Sequence, residues 1–298
     1  MALLTATIAQ GRADEDAIID EFGATSWGEL DLRVNRLVHA LRSHGLGNGD
    51  HVAIIAGNRA EWFEIALACS HGGWTYVPVN WHWVADELAY VFEDAAPVAV
   101  FVDPRFVGPV VTALADQRSA SVRLVVGLGS GSAGESCDVL STDARFVGYD
   151  ELITSGSADE PTEQRLGGPM FYTSGTTGRP KGVRGMLSGG GDLGPEIMQF
   201  IAASFKNFLP IPGRTLLCGP VYHSAQWAFS FLPLIGGSSV VMQHRYDSAE
   251  LIDLIDRHQV TNVHFVPTQM KRLLDLGDDV KQRFNGSSMI TVWHGAAP

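Results

Sequence analysis

The sequence predicts an α/β protein built from two doubly wound, mostly parallel sheets flanked by helices, with the second lobe incomplete. Three observations predict it. Short β-branched runs alternate with amphipathic helical runs along the chain, the pattern of parallel strands joined by helical crossovers. The strand candidates are apolar at successive positions, as strands covered on both faces are. The length, 298 residues, suits about two folding units.

The helix candidates come in order. Ser26 with Glu29 is an S-x-x-E capping signal, and Leu30, Val34, Leu37, Val38 and Leu41 then recur at helical spacing until Gly45 stops the run. Asn58 with Glu61 opens a second helix through Phe63 and Leu67, closed by Gly72. Asp86 to Glu93 reads as a third. Asp247 with Glu250 caps a later one, striped by Leu251, Leu254 and Ile255. Strand candidates lie between and beyond them: HVAIIA (51–56), TYVPV (75–79), VAVFV (98–102), VRLVV (122–126), MFYT (170–173), TLLC (215–218), SVVM (239–242), NVHFV (262–266) and MITVW (289–293). Residues 127–142 are Gly/Ser-rich and read as an exposed loop, and 154–168 are similarly polar. The chain stops at WHGAAP, straight after a strand, and is expected to be truncated. The expected lobes are 46–190 and, for the second, 1–45 with 191–298.

Charge and cysteine usage bound the function. The formal net charge is -12, from 33 acidic and 21 basic residues, a field that opposes binding to nucleic acid or an anionic bilayer. Cys69, Cys137 and Cys218 show no CxxC spacing and read as free thiols in a reducing compartment. No window reaches 18 uninterrupted apolar residues, so no transmembrane helix is expected. MALLTATIAQ lacks the basic flank of a signal peptide. A cytoplasmic protein acting on small molecules is the expectation. Its oligomeric state has no sequence signature.

Two glycine-rich stretches compete as nucleotide sites. Gly129, Gly131 and Gly134 match G-x-G-x-x-G after a predicted strand, but a dinucleotide fingerprint also needs a helix next, here at about 135–147. ESCDVLSTDARF shows no helical apolar stripe. The stronger candidate is FYTSGTTGRPKG, 171–182, at the carboxyl end of a predicted strand. It is not a Walker loop, because Lys181 is followed by Gly182 rather than Ser or Thr. Gly175, Gly178 and Gly182 permit positive φ and close backbone approach, and Pro180 keeps Arg179 extended or in a turn. Thr173, Ser174, Thr176 and Thr177 supply hydroxyl donors, successive amides can form an anion nest, and Lys181 adds a mobile cation. Hydrogen bonds to charged groups contribute roughly 1.5–3 kcal/mol each, so this composition suits a polyphosphate.

YTSGTTGRPKGV also resembles the phosphate-loop signature of the adenylate-forming enzymes: acyl-CoA and aryl-CoA synthetases, luciferases and peptide-synthetase adenylation domains. The resemblance spans most of the chain. It extends through TSWGELDLRVNRLVHALRSHGLGNGDHVAI, WTYVPVNWHWVADELAYVFEDAAPVAVF, GPVYHSAQW, RYDSAELIDLIDRHQVTNVHFVPTQMKRLL and HGAAP. It implies that ATP activates a carboxylate to acyl-AMP, that Mg²⁺ bridges phosphate oxygens, and that a thiol, usually coenzyme A, then displaces AMP. By that resemblance Thr173, Ser174, Gly175, Thr176, Thr177, Gly178 and Lys181 hold the β- and γ-phosphates. His223 borders the carboxylate pocket, with Lys181 one of the two catalytic candidates, and Gly295, Ala296 and Ala297 lie along the adenine. A fatty or otherwise hydrophobic acid is the expected substrate. The run AFSFLPLI (228–235) reads either as plain core or as the wall of an acyl tunnel, with Trp227 and Phe231 facing the chain.

The sequence departs from the pattern in places. RGMLSGGGDLG stands where a Ser-His pair is usual, and NWHW introduces Trp81, His82 and Trp83. The family's later Thr-Glu motif, hinge, catalytic lysine and mobile C-terminal domain would follow residue 298. The fragment alone is therefore expected to be impaired. Adenylation with another acceptor, or nucleotide binding without turnover, are the alternatives. GxSxG is absent, and His71 and His82 are not at metal-ligand spacing, so neither an esterase nucleophile nor a structural metal is expected.

Overall fold

A computed structural model describes residues 4–129, 138–173, 179–184, 200 and 203–295. The chain divides into two compact units. One groups Met1–Ala6, Glu29–Gly57 and Glu61–Pro195; the other groups Thr7–Gly28, Asn58–Ala60 and Glu196–Pro298. Residues 29–45, expected in the second lobe, cluster with the first unit.

In the first unit the strands are β3 (His51–Ile55), β4 (Thr75–Pro78), β5 (Ala99–Val102), β6 (Leu124–Gly127), β7 (Phe146–Gly148), β8 (Gly168–Thr173) and β9 (Lys181–Arg184). Their order is β7-β6-β5-β3-β4-β8-β9. From β4 to β7 this is the doubly wound 2-1-3-4-5 arrangement. Every pairing is parallel except β8 with β9. The helices are α2 (Trp27–Ser43) and α3 (Ala60–Gly72), whose first residues Trp27, Gly28 and Ala60 group with the second unit, then α4 (Ala85–Ala95), α5 (Val107–Leu114) and α6 (Tyr149–Ser155). β4, β5 and β6 are buried at all four positions, as their continuous apolar runs require. Gly45 ends α2 at φ +81°, the left-handed region that favours glycine. Leu88, Val91 and Phe92 of α4 pack with Val77, Val79 and Val100 of the sheet, each such side chain contributing about 1.5–3 kcal/mol on burial.

The second unit holds α1 (Ala6–Arg12, of which only Ala6 groups with the first unit), β1 (Asp16–Asp20), β2 (Gly23–Ser26), β10 (Arg214–Leu217), α7 (Ser224–Ile235), β11 (Ser239–Met242), α8 (Ser248–His258), β12 (Asn262–Phe265), α9 (Pro267–Leu274), α10 (Asp278–Arg283) and β13 (Thr291–His294). The sheet order is β13-β12-β10-β11-β1-β2. It is parallel except for the β1–β2 hairpin. Asp247 caps α8 as expected, its carboxylate accepting from the amides of Ala249 and Glu250 at 2.9 and 2.8 Å.

The structure alters two expectations and agrees with a third. Asn58 does not cap α3. Its side chain donates to the carbonyls of Gly219 and Gln243 and accepts from the Val221 amide, at 2.8–3.0 Å, while Asp20 accepts from the Ala60 amide at 2.8 Å. The strands β1, β2, β7 and β9 had not been anticipated. And no α-helix occupies the described part of 135–147: Asp138–Leu140 is a short 3₁₀ turn and β7 begins at Phe146. Gly131 and Gly134 lie outside the described residues. Among the described residues, no α-helix N-terminus directly follows this stretch to receive a pyrophosphate.

Candidate functional site

In the first unit the site is a hairpin. Thr173 is the last residue of β8, Lys181 the first of β9, and the two are register partners. Both are exposed. Side chains alternate faces along a strand. Met170 and Tyr172 therefore turn toward the α4 side of the core, and Thr173 and Lys181 turn away from it. Gly182 belongs to the extended strand, so its use is not positive φ. A Cβ there would meet Tyr172 Cζ at 3.2 Å and Met170 Cε at 3.3 Å. Glycine lets the Tyr172 ring lie across the hairpin. Ser174, Gly175, Thr176, Thr177 and Gly178 lie outside the described residues.

In the second unit the candidates gather at the carboxyl ends of β10, β12 and β13, where ligands of open α/β sheets bind. His223 is exposed at the N-cap position of α7, its ring 4.4 Å from that of Tyr222. One turn on, Trp227 and Phe231 stack at 5.4 Å, and both are buried. Gly295 follows β13, its amide donating to the Phe265 carbonyl at 3.1 Å. Ala296 and Ala297 lie outside the described residues.

Sequence reasoning missed the groups between these. The Gly219 amide donates to Gln226 Oε1 at 3.2 Å, which fixes the side-chain amide so that Nε2 faces His264 Nδ1 at 3.0 Å. Nδ1 must then accept, so the ring proton sits on Nε2. Burial, helped by His294, lowers the His264 pKa, keeping the ring neutral. A Cβ on Gly295 would lie 3.2 Å from that Nε2. Phe229 stacks on His264 at 4.7 Å and meets Trp293 at 5.6 Å. The result is an aromatic surface of Phe229, Trp293 and His264 in which the neutral His264 ring carries its proton on Nε2. The signal was a polar residue inside the apolar run NVHFV.

The thiols have no place in this chemistry. Cys69 and Cys218 are buried and free, and burial pushes both pKa values up, that of Cys218 to about 12. Cys137 lies outside the described residues. Among the described residues no helix is long and apolar enough to cross a membrane.

Each unit thus carries candidate residues on a mostly parallel sheet: the hairpin in the first, the strand ends beside Gly295 in the second. The profile of the AMP-binding enzyme family matches residues 5–298, and the chain belongs to that family. It is 28% identical over 271 residues to the fatty acid–[acyl-carrier-protein] ligase ScoC of Streptomyces coeruleorubidus, covering 89% of this chain and 48% of the relative. It is 28% identical over 251 residues to a feruloyl-CoA synthase of Amycolatopsis, covering 84% and 45%. The chain thus spans about half the length of the curated relatives it matches. Among solved structures, the N-terminal domain of FACL13 from Mycobacterium tuberculosis superimposes with a TM-score of 0.80 at 20% identity, covering 100% of this chain and 70% of that one. ATP-bound MatB from Rhodopseudomonas palustris gives 0.75 at 25% identity, covering 100% and 56%.

Proposed function

We propose that the protein activates a hydrophobic carboxylic acid, of the fatty class, with ATP and passes the acyl group to coenzyme A. The carboxylate oxygen attacks the α-phosphorus, the bond to the bridging oxygen of the β-phosphate breaks, and pyrophosphate leaves. The thiol sulfur then bonds to the acyl carbon and AMP departs with the electron pair of the acyl–oxygen bond.

The observation that carries this reading is the exposed register pair Thr173–Lys181 on the β8–β9 hairpin. In this reading Lys181 neutralises charge on the departing pyrophosphate, and Thr173 with Ser174, Gly175, Thr176, Thr177 and Gly178 holds the β- and γ-phosphates through hydroxyls and amides. His223 borders the reacting carboxylate. Gly295, Ala296 and Ala297 lie along the adenine, a close approach that small residues permit. Trp227 and Phe231 contribute the apolar side of the acyl site. Mg²⁺, if it accompanies the nucleotide, would supply charge neutralisation to the phosphates that Thr173 and Lys181 are proposed to hold. The family match supports the activation step, and relatives named for fatty and for feruloyl substrates leave the acid class to this proposal.

The test is a panel of carboxylic acids in ATP–pyrophosphate exchange. Exchange that needs a fatty acid supports the proposal. Exchange driven only by aromatic acids would transfer the acid class, and ATP binding without any exchange would make the chain a nucleotide-binding module without turnover. Replacing coenzyme A with other thiols separates the acceptors.

A further inference from the structure

Both limbs of the β8–β9 hairpin are tied to one helix. Tyr172 on β8 donates its hydroxyl to Asp94 Oδ2 at 2.5 Å. Tyr90 donates its hydroxyl to the carbonyl oxygen of Pro180, the residue before β9, at 2.9 Å. The Arg179 guanidinium lies over the Tyr90 ring, 5.1 Å from its centre. Tyr90 and Asp94 are four residues apart on α4, one turn along the same face. A third tie runs through β3: Arg184 donates to His51 Nε2 at 2.7 Å, and His51 Nδ1 donates to the carbonyl of Ala95, the last residue of α4. Burial of Tyr172 beside the Asp94 carboxylate pushes the phenol pKa up, so it remains a donor at all working pH values.

The positions of the ties matter more than their number. Tyr172 and Pro180 each immediately precede one of the exposed pair, Thr173 and Lys181. The hairpin face that carries Tyr172 meets α4, and the opposite face carries that pair. A lysine on a free hairpin would have to surrender backbone and side-chain freedom on binding phosphate; one on a hairpin held to a helix has surrendered part of it already. Trp83 closes the same seat, its ring edge-to-face with Tyr172 at 6.2 Å, which gives the otherwise unassigned NWHW segment a use.

We propose that α4 seats the hairpin, and that Tyr90 and Asp94 are positioning residues that act through Pro180 and Tyr172 to present Lys181 and Thr173 to the phosphate tail of ATP. The inference rests on the reading of Lys181 above. The test is ATP affinity of the natural protein by calorimetric titration, with adenosine as a ligand lacking phosphates and thermal melting alongside. Tyr90→Phe keeps the ring under Arg179 and removes the hydroxyl; Asp94→Ala removes the acceptor and Asp94→Asn restores an acceptor oxygen.

We expect Lys181→Ala to weaken ATP binding more than about tenfold. Tyr90→Phe and Asp94→Ala should each weaken it about three- to tenfold, the scale of one hydrogen bond. Asp94→Asn should stay within about twofold. Adenosine affinity should be unchanged throughout, and every variant should remain fully folded at the temperature of the titration, any small fall in melting temperature being no larger for the variants that lose ATP than one hydrogen bond allows. If Lys181→Ala loses ATP and neither α4 variant does, the positioning role is wrong and the role of Lys181 stands. If Lys181→Ala binds ATP normally, the reading beneath it fails. Losses that extend to adenosine, or that follow the melting temperature, would make the ties merely structural and overturn the proposal.

Discussion

His71 shows what a single side chain costs in the wrong surroundings. It is fully buried near the end of α3, neither ring nitrogen has a hydrogen-bond partner among the described residues, and burial lowers its pKa to about 3. The unfolded chain titrates near the ordinary value of about 6.5. Because the folded value is the lower one, the neutral ring's contribution is complete above about 6.5 and is lost as pH falls toward the folded value. His71→Leu should therefore raise the melting temperature more at pH 5 than at pH 8; an equal shift at both would contradict the burial argument. Lys181 stood out in the sequence because a stretch of hydroxyls and glycines beside a lysine is unlike a core segment, and the structure adds that it is exposed at the start of β9. Gln226 and His264 did not. Their contacts come from an amide orientation set by Gly219, seven residues before Gln226 in the loop after β10.

At the scale of elements, the alternation of strands and helices was readable wherever burial on both faces left an apolar run. It failed for DAIID, GATS and FVG, and for KGVR at the far edge of the first sheet. β1 and β2 form a hairpin at one end of the second sheet and β7 ends the first, so these strands are half-covered, short and mixed in polarity. Caps were readable only when local. Asp247 bonds amides two and three residues on, which spacing reveals. Asn58 instead serves Gly219, Val221 and Gln243, partners more than 160 residues away that no local pattern announces. Asp247→Ala should cost about 1 kcal/mol, read as a lower denaturation midpoint with unchanged slope. No change would mean that the cap is replaced by water at no cost. His51 extends the pH argument to the hairpin. Burial lowers its pKa, against the raising effect of the Ala95 carbonyl and with a smaller lowering push from Arg184, and the neutral ring must accept from Arg184. That contribution is complete above about 6.5 and declines below it. His51→Gln should thus flatten the melting temperature between pH 7.5 and 5.5 relative to the unsubstituted protein, and an unaltered slope would remove His51 from the account.

For the whole molecule, two mostly parallel sheets followed from length and strand pattern, but their strand orders did not. Nothing local states that β5 pairs with β3 rather than β4, or that β1 from the start of the chain enters beside β11. Such pairings are chosen by which hydrophobic faces the whole fold can cover. The central claim is that the hairpin holds the phosphate tail of ATP while a carboxylate is activated. Acid-dependent ATP–pyrophosphate exchange by the natural protein, compared with its Lys181→Ala variant at matched folded concentration, tests it most directly. The account predicts exchange that falls at least about a hundredfold, the loss of one positioned transition-state contact, with an unchanged melting temperature. Exchange that survives the substitution, or disappears only because the protein melts earlier, would contradict it.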